Sequence, residues 1–376
     1  ATRVNESGLI EEVASNVPRL DYSDGGCPSL LLEPIATNLI TYSEDFSNGA
    51  WDKTSGGSAS IPVITSNYSI SPDGTQNADR VYIDTGTGGS SGDYSILRQQ
   101  IAITSGYDYT LSIWLKSNTS SSQVISLRLN SGGQLTEVTV TTSWVRYNVV
   151  YSNPTTGTRD FGLDLRSSQS QFADLLIYGA QLEQNSYSTS YIKTVGTAQT
   201  RSADTANGAG NASTFNDSEG VLFAEISALA DLDSTRRITL NQGVNIVNII
   251  SIQYRNNGEL RIYNGGNTTA QMVYRDVYAD LTENKKIAIK YGTTSLDYTI
   301  YINGISKTIE SAFVATAMSG LDNIKFASAD NSGSLFYGSA KQIQYFDSAL
   351  NDSELEKLTS WTSFTAMANA LNYTII

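Results

Sequence analysis

The sequence predicts an all-β protein: two antiparallel β-sandwich (jelly-roll) domains, with an extended N-terminal arm and a short C-terminal helix. Apolar and polar residues alternate with a period of two in many short runs, as in strands that bury one face. Turn-forming clusters separate these runs, and only 16% of the residues are charged, against about 25% in an average soluble domain. Because no run with helical periodicity lies between the strands, a parallel α/β fold is excluded.

Charge and hydropathy limit the partners that we expect. The formal net charge is −13, and no basic stripe offsets it, so phosphate backbones and anionic lipid surfaces are repelled. The sequence has no run of about 18 apolar residues, the length that a membrane-spanning helix needs. We therefore expect neither nucleic acid binding nor membrane insertion.

Two residue counts exclude several kinds of catalytic and metal site. The chain has no histidine and one cysteine, Cys27. Ser-His-Asp triads, Cys-His pairs and His-ligated metals are excluded by the first count. An intrachain disulfide and a cysteine-based zinc site are excluded by the second. No required cofactor is expected.

The N-terminal residues, 1–37, do not have the pattern of a domain. They contain few consecutive apolar positions and no clear period, apart from the short run Leu30 to Leu32 before Pro34. We interpret this segment as an extended arm or connector. The alternative is a first strand that follows an irregular start.

Residues 38–195 are predicted to form the first sandwich. The run YDYTLSIWLKS places four apolar side chains on one face of a strand: Tyr109, Leu111, Ile113 and Leu115. Three later runs alternate in the same way and place the following sets on a buried face: Ile125, Leu127 and Leu129; Val145, Tyr147, Val149 and Tyr151; Phe161, Leu163 and Leu165. Trp51 is also expected in the core.

A small, polar segment at 196–217 is predicted to link this domain to a second sandwich at 218–361. In the second domain Asn303-Gly304 predicts a tight hairpin turn, since both residues accept a positive φ. Asn351 and Glu354 have the spacing of a capping box, which predicts a helix with an apolar stripe of Leu350, Leu355 and Leu358. The tail, 362–376, is apolar enough to pack on a neighbour.

Three stretches of the chain resemble a family of bacteriophage virion appendage proteins, which includes tail fibres, head fibres and spikes. They are SGLIEEVASNVPRLDY with LLLEPIATNLITYSEDFSNGAWDK, SPDGTQNADRV with GAQLEQNSYSTSYIKTVGTAQTRSADTA, and YTIYINGIS with FYGSAKQIQYFDSALNDSELEKL. The resemblance implies a carbohydrate-binding-module-like jelly roll at 38–195 and a laminin-G-like or concanavalin A-like sandwich at 218–361. The chain departs from the family at Lys193, where a proline is common, and at Ser339-Ala340-Lys341, where an acidic residue is common.

A candidate glycan site is predicted on one polar face of the first sandwich, across four strands that we interpret as neighbours. Sugar recognition uses an aromatic ring that stacks on the C–H face of a pyranose and polar groups that bind its hydroxyls. The strand faces opposite the predicted core supply such a set: Trp114, Arg128, Arg146, Asp164 and Arg166. The alternative is a solvated or subunit-covered face on which arginines and aspartates pair with each other.

A structural calcium ion is a second possibility, since jelly-roll modules of this kind can carry one. Calcium takes several oxygen ligands at about 2.3–2.6 Å. The segment YSEDFSNG offers two carboxylates, and two more could approach it; the candidate ligands are Glu44, Asp45, Asp84 and Glu183. The alternative is an ordinary polar turn.

The leading hypothesis is a non-enzymatic virion protein, a fibre or spike subunit that adsorbs to host surface polysaccharide. The apolar arm and tail suggest a homo-oligomer, most simply a homotrimer, that also contacts other virion proteins. Such a protein is assembled in the host cytoplasm and is extracellular in the mature virion. The alternatives are an architectural capsid or tail decoration that binds no sugar, and a glycan depolymerase that uses two carboxylates.

Overall fold

The all-β prediction is confirmed by the computed structural model. It describes residues 1–87, 89–90, 92–129, 135–152, 154–230, 234–244, 246, 248–255, 257–265, 271–315, 317–330 and 333–360. The strands are β1 Thr2–Val4, β2 Ile10–Glu12, β3 Leu20–Asp21, β4 Ser29–Leu32, β5 Ala36–Asn38, β6 Asp52–Gly56, β7 Val63–Ser69, β8 Ala78–Asp84, β9 Tyr94–Ile103, β10 Tyr109–Ser117, β11 Gln123–Arg128, β12 Leu135–Val140, β13 Val145–Tyr151, β14 Gly157–Arg166, β15 Phe172–Glu183, β16 Gln199–Arg201, β17 Asn207–Ala209, β18 Gly220–Ala228, β19 Arg236–Asn241, β20 Ile249–Tyr254, β21 Glu259–Asn264, β22 Gln271–Val277, β23 Lys285–Tyr291, β24 Thr299–Ile302, β25 Ile305–Lys307, β26 Asn323–Lys325 and β27 Gly338–Phe346. A 3₁₀ turn covers Ser295–Asp297, and the helix α1 covers Asp352–Ser360.

The chain forms two compact units. Unit 1 contains Ala1–Gly25 and Ile35–Ala203, and unit 2 contains Gly26–Pro34 and the described residues from Asp204 onward. Short strands occur in the segments predicted as arm and linker: β1 pairs with β2, β4 with β27, β5 with β16, and β17 with β26. Such strands are held by main-chain hydrogen bonds, so they need no apolar alternation that a sequence pattern could reveal.

Unit 1 is a sandwich of two antiparallel five-stranded sheets. Sheet A has the order β13-β10-β15-β8-β7, and sheet B has the order β12-β11-β14-β9-β6. Three of the four apolar sets predicted from the alternation form the core, where Leu111, Ile113, Leu127 and Phe161 have no exposed surface. The fourth set was predicted wrongly in part: Val145 is 38% exposed and the other members are partly buried, because β13 is an edge strand. The core stabilises the unit by roughly 1.5–3 kcal/mol for each such side chain that is fully buried.

Unit 2 is a second sandwich. Sheet C is six-stranded, in the order β17-β26-β19-β20-β21-β22, and sheet D contains β25-β24-β23-β18-β27-β4 in that order. Their inner faces meet in a core of aliphatic and aromatic side chains that includes Leu222, Ile238, Ile252, Ile262 and Ile300. The opposite face of sheet C is therefore left with the polar residues of each strand.

Two local predictions in unit 2 are confirmed. Asn303 and Gly304 have φ values of 50° and 80° and connect β24 to β25. At the start of α1 the Asn351 N–H donates to Glu354 Oε2 at 2.8 Å, and the Glu354 N–H donates to Asn351 Oδ1 at 3.1 Å. Leu355 is completely buried in the stripe that the helix turns towards the unit.

The tail at 362–376 lies outside the described residues, so its expected contacts are not addressed by the structure. In the described part of the chain, no helix combines the length and the apolar character needed to cross a membrane.

Candidate functional site

The five residues of the predicted glycan site do not share one face. Trp114 on β10 and Arg146 on β13 lie in sheet A, whereas Arg128 on β11 lies in sheet B together with Asp164 and Arg166 on β14. The chain passes from one sheet to the other between β10 and β11. The single-face interpretation was therefore wrong, because alternation identifies the outward residues of a strand but not the sheet to which the strand belongs.

In sheet B the predicted residues belong to a continuous row of ion pairs, which we call the arginine–aspartate ladder. Its members in order are Asp52, Arg98, Asp160, Arg128, Asp164 and Arg166, with successive nitrogen–oxygen distances of 2.9, 2.7, 3.0, 2.7 and 2.8 Å. The side chains of Asp160 and Asp164 have no exposed surface, and that of Arg128 is 6% exposed. The hydrogen-bonding groups of this row are thus already occupied within the protein.

The electrostatics of the ladder agree with a stabilising role. Burial alone would raise the pKa of Asp160, but hydrogen bonds from Gln100, Arg128 and Arg98 outweigh it, and the pKa lies below its usual range. A buried carboxylate that stays charged in this way needs all of its cationic partners. The alternative interpretation, in which arginines and aspartates satisfy each other, describes this part of the predicted site.

In sheet A, Trp114 and Arg146 lie directly opposite each other on neighbouring strands. The Arg146 guanidinium is 4.3 Å from the centre of the Trp114 ring, and it also donates to the Thr189 carbonyl oxygen at 2.7 Å. Trp114 packs edge-on against Tyr178 and Tyr191, and Ile10 of the N-terminal hairpin covers the same aromatic cluster. The indole is therefore a partly buried packing element rather than an open stacking platform.

The four predicted calcium ligands do not fit a single site. Asp84 is paired with Phe172, whereas Glu183 lies at the other end of the 12-residue strand β15, roughly 35 Å away at about 3.3 Å per residue. Asp45 accepts hydrogen bonds from Ser47 Oγ and the Asn48 N–H within its own turn. Among the described residues, no group of three or more acidic or cysteine side chains could hold a metal ion.

Glu44 and Glu183 each have partners of their own. Glu44 forms an ion pair of 2.7 Å with Lys193, the residue that departs from the family pattern, and accepts a hydrogen bond of 2.9 Å from the Tyr191 hydroxyl. Glu183 is fully buried and accepts hydrogen bonds from Gln181 Nε2 and from the N–H of Thr189. Burial raises the pKa of Glu183, and those hydrogen bonds act against it.

Unit 1 has a pocket of about 260 Å³ beside the aromatic cluster, lined by Glu44, Asp73, Tyr178, Tyr191 and Lys193 among others. Two of its four carboxylates, Glu44 and Asp73, are engaged by other side chains. Glu44 binds Lys193 and Tyr191 as described, and Asp73 accepts hydrogen bonds from the Thr75 N–H at 2.7 Å and the Tyr178 hydroxyl at 3.1 Å. These contacts hold Glu44 and Asp73 within unit 1.

Another pocket lies in unit 2, on the polar face of sheet C, and has a volume of about 410 Å³. That volume is within the usual range of small-ligand sites, about 300–1,000 Å³. Its lining consists of Arg237, Thr239, Ile246, Ile249, Gln253, Arg255, Tyr263, Ser328, Ala329, Asp330 and Ser334. An aromatic ring, an amide and two guanidinium groups thus line one depression, which we call the sheet C pocket.

Strand register brings these side chains together. Arg237 on β19 is paired with Gln253 on β20, and in the next row Thr239 is paired with Ser251, which is paired with Tyr263 on β21. Directly opposed residues of antiparallel strands point to the same face. Their sequence neighbours Ile238, Ile252 and Ile262 point into the core, so this face is the outer one.

Two loops that flank the pocket are held by one buried lysine. Lys325 on β26 is 5% exposed, and its ammonium group donates to the carbonyl oxygens of Gly243 at 2.5 Å and Ala329 at 2.7 Å. The second loop is closed further by Ser328, whose hydroxyl donates to the Gly333 carbonyl oxygen at 2.9 Å. The pocket is therefore formed before any ligand binds.

The charges of the sheet C pocket are unevenly compensated. Burial lowers the pKa of Arg237, and the like charge of Arg255 lowers it further. Asp330 and Tyr263 act in the opposite direction and raise it. The Nε atom of Arg237 is buried and has no hydrogen-bond partner in the described part of the chain. The pocket therefore contains a cationic group whose hydrogen-bonding capacity is incompletely used.

The residues of this pocket are not among the predicted site residues, although their strands have a pattern that could have indicated them. The runs RRITLN, NIISIQYR and ELRIYNG have the alternation that predicts strands. Taking their alternate positions would have grouped Arg237, Gln253 and Tyr263 opposite the isoleucines. The predicted glycan site comprises polar positions of the first domain alone.

No family model matches the chain, and no curated protein matches it. Among solved structures it is similar to the CBM40 module of Ruminococcus gnavus IT-sialidase, with 15% identity and a TM-score of 0.33 over 42% of this chain and 95% of that one. The same module bound to α2,3-sialyllactose gives a TM-score of 0.32 over 41% of this chain and 94% of that one, at 15% identity.

The leech intramolecular trans-sialidase has 16% identity and a TM-score of 0.32, and the match covers 40% of this chain and only 24% of the enzyme. A heptameric pentraxin of Limulus polyphemus has 12% identity and a TM-score of 0.30, over 37% of this chain and 69% of that one. Similarity this low carries no information on ligand or activity.

Proposed function

We propose that the chain is a glycan-binding protein and that the sheet C pocket holds the sugar. One observation carries the proposal: the ring of Tyr263 and the polar groups of Gln253 and Arg237 line the same preformed depression. An aromatic surface beside fixed donors and acceptors is the combination that sugar binding needs, because a pyranose has an apolar C–H face and a polar rim.

The pocket assigns a role to each of these residues. Tyr263 is half-buried, and its hydroxyl accepts a hydrogen bond of 3.0 Å from Arg261, so its ring is held in place for stacking. Gln253 is 6% exposed and offers an amide at the floor of the pocket. The loop residues Ser328 and Asp330 form part of the rim, where sugar hydroxyls would meet them.

At the level of the whole protein, the proposal is a bacteriophage virion protein: a fibre or spike subunit that adsorbs to host surface polysaccharide. The three resembling stretches of sequence support this finer assignment. A homotrimer would place three weak pockets on one particle and raise the apparent affinity by avidity. The protein would be assembled in the host cytoplasm, join other virion proteins and be extracellular in the mature virion.

A glycan array probed with the intact protein tests the binding function. We expect signals on host surface polysaccharides, and we expect Tyr263→Ala to weaken binding about tenfold, equivalent to about 1.4 kcal/mol. The matched control is Tyr107→Ala, which removes an exposed tyrosine of unit 1 and should bind like the unchanged protein. Equal binding by both variants would place the sugar elsewhere.

Two other outcomes would replace the proposal. A blank array across host polysaccharides would favour an architectural decoration protein. Release of reducing ends from a polysaccharide would identify a depolymerase. We propose that the chain is not an enzyme, because Glu44 and Asp73 are already bound by other groups of the protein.

Light scattering after size exclusion tests the trimer, and a mass of one chain would contradict it.

A further inference from the structure

We propose that the sheet C pocket selects glycans that carry an acidic group, and that Arg237 binds this group. The inference rests on the proposed glycan-binding function and names the class of sugar. It comes from a comparison of Arg237 with the other arginines on the same face of the same sheet.

Four residues form a straight row across sheet C. Arg237 on β19 is paired with Gln253 on β20, Gln253 with Arg261 on β21, and Arg261 with Arg275 on β22. Because directly opposed residues share a face, the row places three arginines on the outer face of sheet C. The strands are about 4.8 Å apart, so Arg275 lies roughly 14 Å from Arg237 at the level of the backbone.

Two of the three arginines have a carboxylate partner. Arg261 pairs with Glu259 at 2.6 Å, and Arg275 pairs with Glu310 at 3.4 Å. No ion pair of this kind reaches Arg237 from the described residues, and Asp330 is the carboxylate whose charge acts on it. Arg237 is thus the member of the row that lines the pocket and lacks the anionic partner of its neighbours.

The surroundings of Arg237 favour an added negative charge. Arg255 lines the same pocket, and its positive charge repels that of Arg237. The negative charge of Asp330 offsets this repulsion in part. Two guanidinium groups and one carboxylate therefore face one cavity, in a chain whose net charge is −13. The local excess of positive charge stands out against an acidic protein and would attract an anionic ligand.

An acidic group on a sugar suits this place chemically. A guanidinium presents its N–H groups as a planar fork that matches the oxygens of a carboxylate, sulfate or phosphate. Such a group would take the position that Glu259 and Glu310 take on the neighbouring arginines, while the pyranose ring rests on Tyr263. A neutral sugar would bring no negative charge to offset the two guanidinium groups of Arg237 and Arg255.

The test compares acidic polysaccharides with their own neutral forms, using the intact protein. A panel of uronate-containing polysaccharides is presented beside carboxyl-reduced samples, and sulfated polysaccharides beside desulfated ones. We expect at least tenfold weaker binding after removal of the acidic group, and the two pairs of arms identify which group is recognised. Binding should also weaken as the salt concentration rises.

Matched variants separate this recognition from general attraction. Arg237→Gln should lose at least tenfold in binding to the acidic form, whereas Arg275→Gln removes the same charge from the same row outside the pocket and should retain it. Asp330→Asn keeps Arg237 in place and removes a competing anion, so it should bind the acidic form more tightly. The Asp330→Asn variant also keeps the inference testable if Arg237→Gln does not fold.

The outcomes are distinct. Equal binding to acidic and neutral forms would overturn the inference and leave the proposed glycan-binding function standing. Equal losses in Arg237→Gln and Arg275→Gln would also overturn it, since the attraction would then be nonspecific. Absence of binding to every polysaccharide would remove the proposed function itself.

Discussion

Arg128 and Asp164 form an ion pair of 2.7 Å in which the carboxylate has no exposed surface and the arginine side chain is 6% exposed. Arg128 also binds Asp160 at 3.0 Å, and Asp164 also binds Arg166 at 2.8 Å. Each buried charge thus has an opposite charge on both sides. Sheet B therefore carries a polar outer face that is held together internally.

We expect the loss of one buried member of the ladder to destabilise unit 1 strongly. Asp164→Ala leaves Arg128 buried with one partner fewer, and breaking a buried pair in this way costs about 3–5 kcal/mol. Urea unfolding followed by tryptophan fluorescence measures the effect, because Trp51, Trp114 and Trp144 all lie in unit 1.

The control for this prediction is the exposed end of the same row. The Asp52 side chain is 47% exposed and pairs with Arg98, so Asp52→Ala should cost about 1 kcal/mol or less. Similar losses in the two variants would mean that burial does not decide the contribution of the ladder.

The core positions of both units could be predicted from sequence because a period of two directly reports which side chains of a strand are buried. Trp51 is 2% exposed and donates from Nε1 to the Tyr42 carbonyl oxygen, as expected for a core residue. The assignment of strands to sheets could not be predicted in this way. Arg128 and Arg146 have equivalent patterns, yet the path of the chain places them on different sheets.

The site depends on relationships that a linear pattern does not contain. Arg237, Gln253 and Tyr263 meet because the registers of three strands coincide. The incomplete pairing of Arg237 is visible only when the neighbours of its side chain are known. Sequence can therefore identify outward positions, whereas the cavity and its charge balance depend on how the strands and loops meet in three dimensions.

The stability of unit 1 should depend on Asp73 in acid. Burial would raise the pKa of Asp73, but hydrogen bonds from Ser71 and Thr75 outweigh it and lower the pKa from 3.8 to about 2. A carboxyl whose pKa is lower in the folded state stabilises that state above the unfolded pKa, and the contribution is lost as the pH falls through the folded pKa.

The measurement compares the unchanged protein with Asp73→Asn by urea unfolding between pH 6 and pH 2. We expect the stability difference to be constant above about pH 5 and to shrink as the pH falls from about 4 to 2. A difference that does not vary over this range would show that the charge of Asp73 contributes nothing.

Ile10 should control the environment of the aromatic cluster. It is 8% exposed and packs with Tyr178 and Tyr191, next to the partly buried Trp114. Ile10→Ala should shift the tryptophan emission to longer wavelength, because water then reaches the indole. It should also lower the free energy of unfolding by about 2 kcal/mol, since the site is incompletely buried. Val17→Ala truncates a 51%-exposed side chain of the same segment and should change neither quantity. An unchanged emission in Ile10→Ala would contradict the packing.

Gly304 is expected to be the least replaceable residue of the hairpin between β24 and β25, for two separable reasons. Its φ of 80° strains any residue with a Cβ, at about 1–2 kcal/mol, and a Cβ there would lie 2.9 Å from the Cβ of Ser360.

Gly208→Ala isolates the first effect, since Gly208 has a φ of 78° and nothing within 4 Å of the added Cβ. Unfolding of unit 2 followed by far-ultraviolet circular dichroism should show a larger loss for Gly304→Ala. Adding Ser360→Gly to Gly304→Ala should return the loss towards that of Gly208→Ala, because it removes the clash and leaves the strain; if it does not, the contact with α1 is not the cause.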